Sequence, residues 1–310
     1  MTLTILRLYA ALLRVATPNS GLTRLAFNPV TNRLFARLRA AGRHRLATTT
    51  REGVPLEVDV NDYHGRILWL FGSNDFKVSR LARALLRPGD VFLDIGANYA
   101  TVGLSVASRL GPSVPVHLFE PQPALADTVA EGIAAAGLSD TVTLHRCALY
   151  DTAGTLTLRV PAAHSGMATL EPDKALHGET REIAIPTVET AAHVAPLVGD
   201  RPFGAKIDIE GAEPKVLPAL IAMPGLRFCI FEGASNQAAL FDLFAGAGFA
   251  LFGLRRSVVS VTLAPVRRAE DVHAHHDLLA LRGVALPDSP ALSAAALARR
   301  ARDQRPDAAA

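Results

Sequence analysis

Val91-Phe92-Leu93-Asp94-Ile95-Gly96-Ala97-Asn98-Tyr99-Ala100 is the stretch on which the fold turns. Val91 to Leu93 is a continuous apolar run, the pattern of a strand buried on both faces. Gly96 ends it in a turn, and a helix follows over about Tyr99 to Leu110. The unit then recurs. Val116 to Phe119 leads into a helix near Leu125 to Ala136, and Val142 to Leu144 is the next strand. After a β-rich stretch around Leu156 to Val160 and Ile183 to Val188, the alternation resumes with a strand over Ala205 to Ile209 and a helix from Pro214. A strand over Phe228 to Phe231, a helix over Gln237 to Ala247 and strands at Phe249 to Leu254 and Leu278 to Leu281 complete it. Strands alternating with helices predict an α/β domain whose mostly parallel sheet is covered on both faces.

Upstream, Leu56 to Val60 and Ile67 to Phe71 read as two strands joined by the turn-like Asn61 to Gly65. Asn74 or Asp75 caps a helix with apolar positions Val78, Leu81, Ala82 and Leu85. The 310 residues, 49% of them hydrophobic, suffice for one catalytic-sized core. The two cysteines, Cys147 and Cys229, give neither a disulfide framework nor metal-ligand spacing, which fits a reducing, cytoplasmic setting.

The formal charge of +3 hides a polarity. No acid precedes Glu52, while nine arginines lie between Arg7 and Arg51; the remainder carries 23 basic against 29 acidic residues. An acidic remainder argues against a nucleic-acid partner. Met1 to Val15 is too short and too charged to span a bilayer and lacks the pattern of a secretory signal. On a helix, Thr4, Arg7, Ala11 and Arg14 share one face, and Ile5, Leu8, Tyr9 and Leu12 another. Such a segment either packs on the domain, rests weakly on an anionic membrane surface, or serves as an organelle transit peptide.

Three elements carry chemistry, each at the carboxyl end of a predicted strand, where ligands of doubly wound sheets bind. The first is the turn at Gly96. The second is Glu120, ending His117-Leu118-Phe119-Glu120-Pro121, where a carboxylate suits the two hydroxyls of a ribose. A dinucleotide fingerprint would need glycines where Asn98 and Ala100 stand, which disfavours a nicotinamide-dependent oxidoreductase. The third is Lys206-Ile207-Asp208-Ile209-Glu210-Gly211-Ala212-Glu213-Pro214, four ionisable groups opening a helix. Glu213 and Pro214 fit a helix start, and Glu232 ends the following strand on the same rim.

In Phe92 to Asn98, Phe119-Glu120-Pro121, Ser165-Gly166-Met167-Ala168-Thr169-Leu170, Thr187-Val188-Glu189-Thr190 and above all Lys206 to Glu213, the chain resembles the FkbM-like family of methyltransferases, over about Leu56 to Phe252. The resemblance implies a class I methyltransferase fold, Rossmann-like, with a mostly parallel seven-stranded sheet, to which the chain's own patterning adds a helical N-terminal extension and a short β-rich insert. Patterning along the chain divides it into a basic helical extension (1–46) outside the resemblance, a strand-strand-helix lead-in (47–89), the methyltransferase domain (90–285) and an Ala/Arg-rich tail (286–310), which is expected to be poorly ordered and is assigned no function. The resemblance implies S-adenosylmethionine as cofactor, held around Asp94, Gly96, Asn98 and Glu120 with Ala97, Thr101, Pro121 and Ala148, and O-methylation of a hydroxyl on a sugar, polyketide or other small molecule. Two positions depart from the family. Ala100 replaces a usual glycine, adding a methyl expected near the methionine end of the cofactor, and Arg146-Cys147 replaces an Asn-containing sequence near the adenine.

Methyl transfer to an alcohol needs alignment of the acceptor and a base for its proton. The expected catalytic residues are Asp208 or Glu210, with Lys206 balancing their charge. A divalent metal on Asp208 and Glu232 is a lesser alternative, and no metal is expected. His273, His275 and His276 do not form a site, because on a strand His273 and His275 share one face and His276 the other. The rival readings are a protein or nucleic-acid methyltransferase and a non-catalytic cofactor-binding scaffold.

Overall fold

The structure, a computed structural model, describes residues 1–16, 24–232, 237–256, 260–283 and 291–293. The elements in chain order are α1 (Thr2–Ala16), α2 (Pro29–Ala40), β1 (Arg45–Thr49), β2 (Pro55–Asp59), α3 (Tyr63–Phe71), α4 (Phe76–Leu85), β3 (Val91–Ile95), α5 (Thr101–Leu110), β4 (Val116–Phe119), α6 (Pro123–Ala135) and β5 (Val142–His145). There follow β6 (Ala148–Tyr150), β7 (Gly154–Pro161), β8 (Thr180–Glu189), α7 (Thr190–Val198), β9 (Phe203–Ile207), α8 (Glu213–Ile221), β10 (Leu226–Glu232), α9 (Gln237–Gly246), β11 (Ala250–Arg256), β12 (Ser260–Val266), β13 (Asp277–Leu281) and β14 (Ala291–Ser293).

The main sheet runs β14-β12-β11-β13-β10-β9-β3-β4-β5. From β5 to β10 neighbouring strands are parallel, while β13 pairs antiparallel with both β10 and β11. The expected seven-stranded, mostly parallel sheet of the class I methyltransferase fold is therefore present, and β12 and β14 lengthen it to nine strands. Alternation along β3 shows why the run reads as apolar throughout. Phe92 packs with residues of α4, α5 and α6 on one face, and Val91, Leu93 and Ile95 with those of α7, α8 and α9 on the other. The insert is a separate three-stranded sheet, β6-β8-β7.

Three expectations need correction. Ile67 to Phe71 is no strand but the end of the buried helix α3. The Asp62 side chain accepts the Gly65 N–H at its start, and Gly72 closes it in the left-handed conformation at φ 76°. A short apolar run has no period that separates a buried strand from a buried helix, so only these caps could have shown it. The partner of β2 is instead β1, paired antiparallel. Helix α1 does pack on the domain, but through Leu6, Ala10 and Leu13, leaving Ile5, Leu8 and Leu12 exposed. The three histidines do not share a strand: a 3₁₀ turn over Ala269–Ala274 precedes His275 and His276, so the alternation argument does not apply to them. Apart from β14, the tail after residue 283 lies outside the described residues.

Candidate active site

The turn after β3 is shaped by backbone. Gly96, at φ 72°, approaches the end of β9 so closely that a Cβ there would lie 1.9 Å from the Asp208 carbonyl oxygen. The amides of Gly96 and Ala97 donate to Phe119 O at 3.1 and 3.0 Å, and Asp208 N donates to Ile95 O at 3.1 Å, so the ends of β3, β4 and β9 are drawn together. Among the described residues, the only side-chain-bearing positions at positive φ are Asn98, Ala100 and Glu210, all beside this junction. Backbone strain of this kind gathers where a site demands a particular shape.

The cleft above this junction spans about 630 Å³ including its mouth and lies where the strand order reverses. Gly96, Asn98, Glu120, Pro121 and Ala148 line it, as expected, and so does Asp208. Glu120 is almost fully buried; its two carboxylate oxygens accept the Asn98 and Gln122 amides at 2.7 and 2.8 Å. A carboxylate offers about four lone-pair sites, so capacity for two more donors remains. Burial pushes its pKa up to about 7, against the pull of those two amides.

The other expected residues stand behind the wall. Asp94 is fully buried, its Oδ2 accepting the Gly103 amide at 2.8 Å and its Oδ1 lying 3.4 Å from Lys206 Nζ. Lys206 is also buried, donates to Gly96 O at 2.8 Å and lies 3.7 Å from Asp208 Oδ2. Burial works to lower its pKa, but the Asp94 and Asp208 carboxylates overcome this and hold it above the usual lysine value. Ala97 and Thr101 are buried and do not line the cleft. Nor does Ala100: its methyl lies in the core as the residue capping α5 at φ 53°, which gives a conformational reason for glycine there and corrects its expected place beside the cofactor. Arg146 turns away to pair with Asp127 at 2.6 Å, and neither it nor buried Cys147 lines the cleft.

Glu210 is diverted as well. Its carboxylate pairs with Lys174 of the insert, and its carbonyl accepts the Thr169 hydroxyl at 2.8 Å. Glu213 caps its own helix start, accepting the Ile209 and Gly211 amides at 3.3 and 2.9 Å. Oxygens of Asp208, Glu210 and Glu232 lie within 4.8 Å of one another. Three carboxylates this close need a cation or a shared proton. Burial and the neighbouring carboxylates push Glu232 up to about 8. His276 Nδ1 stands 3.1 Å from Glu232 Oε1.

Sequence reasoning missed His64, Gln122 and Ser165, all of which line the cleft. Asn98 Nδ2 donates to Ser165 Oγ at 3.0 Å, Gln122 Nε2 to Ser165 O at 3.2 Å, and Ser165 N to Asp62 Oδ1 at 2.5 Å. The insert is thereby fastened across the cleft, with Gly166 against the His64 ring, where a Cβ would lie 2.3 Å from Cε1. The run from Ser165 to Leu170 stood out in the sequence, but nothing there indicated that it folds back over Asn98. His64 carries no signal in the sequence, because Asn61 to Gly65 reads as a turn between strands, whereas it lies in the first turn of α3.

No family model matches the chain, and no curated protein matches it. Solved structures do. One is a precorrin-6y C5,15-methyltransferase from Geobacter metallireducens, 11% identical over 67% of this chain and 88% of that one, with a TM-score of 0.39. Another is an S-adenosylmethionine-dependent O-methyltransferase from Thermotoga maritima, 13% identical over 68% of this chain and 66% of that one, with a TM-score of 0.37. Likeness of this degree says nothing of chemistry, for which the site itself must speak. No helix among the described residues is long and apolar enough to cross a membrane.

Proposed function

We propose that the protein is an S-adenosylmethionine-dependent methyltransferase of the FkbM-like kind, acting on a hydroxyl of a small molecule. The observation that carries this reading is the placement of Glu120 opposite Gly96 and Asn98 in one cleft, at the carboxyl ends of adjacent parallel strands. There the buried carboxylate has lone pairs left for a ribose diol, and the glycine turn leaves room for the amino-acid half of the same molecule. When bound, the cofactor supplies an electrophilic methyl on a sulfonium.

The chain's own residues then have two tasks. One is alignment, which in well-oriented reactions is worth roughly 7 to 11 kcal/mol. The cleft is walled for this by the insert residues Ser165, Gly166, Ala168 and Leu170. The other is to accept the proton that the hydroxyl loses as its oxygen forms the new bond to carbon and the carbon–sulfur bond breaks. Asp208 and His64 are the groups that face the cleft and can take it. Glu210, engaged by Lys174, is a positioning residue, as is Lys206, which ties Asp94, Gly96 O and Asp208 into one network.

Calorimetric titration with S-adenosylmethionine tests the first half, and an acceptor screen read by S-adenosylhomocysteine release tests the second. Binding by the wild type that is lost in Glu120→Ala supports the reading. A wild type that fails to bind the cofactor ends it.

A further inference from the structure

Helix α1 has two apolar sides. Leu6, Ala10 and Leu13 are buried in the core with residues of α2 and α3. On the other side Ile5, Leu8, Leu12 and Val15 are 45%, 69%, 62% and 85% exposed, and Met1 is 96% exposed. With 3.6 residues per turn, these five positions fall within an arc of about 80° and form one stripe roughly 22 Å long. Together with Val30 at the start of α2, they are the exposed large hydrophobic side chains of the described residues. A stripe this continuous is not the scatter of single apolar residues normal on a surface.

The helix is also held so that it cannot roll the stripe inward. Arg14, on its flank, donates to Thr49 O at 2.9 Å, to Thr48 Oγ1 at 2.7 Å and to Trp69 O at 2.9 Å, fixing α1 to β1 and α3. The N-terminal segment that carries the stripe has charge of one sign. The first 51 residues hold nine arginines and no acid, and Arg7, Arg33, Arg37, Arg39 and Arg43 are exposed.

We infer that α1 docks the protein onto an anionic bilayer surface, with Ile5, Leu8, Leu12 and Val15 in the boundary between headgroups and acyl chains and the exposed arginines on the headgroups. An amphipathic helix with an apolar stripe and basic flanks binds such a surface by both terms at once. A second copy of the chain is the weaker occupant. Pairing two stripes would bring the arginine-rich segments together with no acid among their first 51 residues, and one row of side chains is narrow for a dimer, which buries ~800 Å² per partner.

The test is co-sedimentation of the full chain with vesicles of phosphatidylcholine alone, or with about a third phosphatidylserine. The wild type is expected on the anionic vesicles, at least tenfold less on the neutral ones, and less as salt rises. Leu8→Ser/Leu12→Ser is expected to lose at least tenfold in binding while keeping the wild-type melting temperature, since both side chains are exposed; Arg33→Gln/Arg37→Gln should weaken binding to anionic vesicles alone. Absence of wild-type binding, or undiminished binding by the leucine variant, overturns the inference. So does a wild-type dimer in sedimentation equilibrium that the leucine variant dissolves while vesicles bind neither protein.

Discussion

Asn98 donates its backbone N–H to Glu120 Oε2 at 2.7 Å, so the loop after β3 is held by the residue that ends β4. Asn98 itself sits at φ 52°, a conformation that asparagine tolerates better than most residues. The carboxylate therefore shapes the loop as well as facing the cleft, and its removal should be felt in both.

Glu120→Gln separates these roles. The amide keeps an oxygen for one backbone N–H but no longer accepts at both positions, and S-adenosylmethionine affinity is expected to fall at least tenfold by calorimetry. Wild-type affinity should also fall as pH drops below about 7, because the carboxyl is then protonated in the free protein.

The same shift has a consequence for stability. A carboxyl raised from 4.5 to about 7 favours the folded state most below about 4.5, and that contribution is lost as pH rises through about 7. Melting temperature measured without cofactor across this range should show a flatter decline in Glu120→Gln than in the wild type. An unchanged slope would mean that Glu120 titrates normally.

Gly96→Ala places a methyl 1.9 Å from a backbone oxygen that cannot move without parting β3 from β9. Left-handed strain and the clash together should cost about 3 kcal/mol or more, measured by urea unfolding. Near-wild-type stability would show that the β3–β9 junction is looser than described.

Lys206→Met leaves the fully buried Asp94 without its cation and is expected to destabilise by about 3 to 5 kcal/mol. Adding Asp94→Asn should recover part of that loss, a coupling that a double-mutant cycle reads directly. Additive losses would mean that the two residues act independently.

Asp208→Asn and His64→Ala should both leave cofactor affinity within about twofold while lowering turnover 10²-fold to 10⁴-fold at the residue that accepts the proton. Comparison of the turnover of the two variants identifies which. Full turnover in both would remove the proposed base from the cleft.

The strands of the parallel core, Gly96 and Glu120 could be read directly from the chain, because buried strands need continuous apolar runs and their ends are where ligands sit. Glu213 could be read as a helix-start residue from its place before Pro214. Residue order could not show which charged groups face the cleft and which serve the wall behind it. Asp94 and Lys206 meet across two strands that are neighbours only after the crossover from β8 through α7 to β9, and Lys174 reaches Glu210 only because the insert folds back. His64 entered the cleft through a helix whose apolar run carries no period of its own. Local patterning sets the period and burial of each element, but contacts between residues a hundred positions apart arise only when the packed elements bring them together.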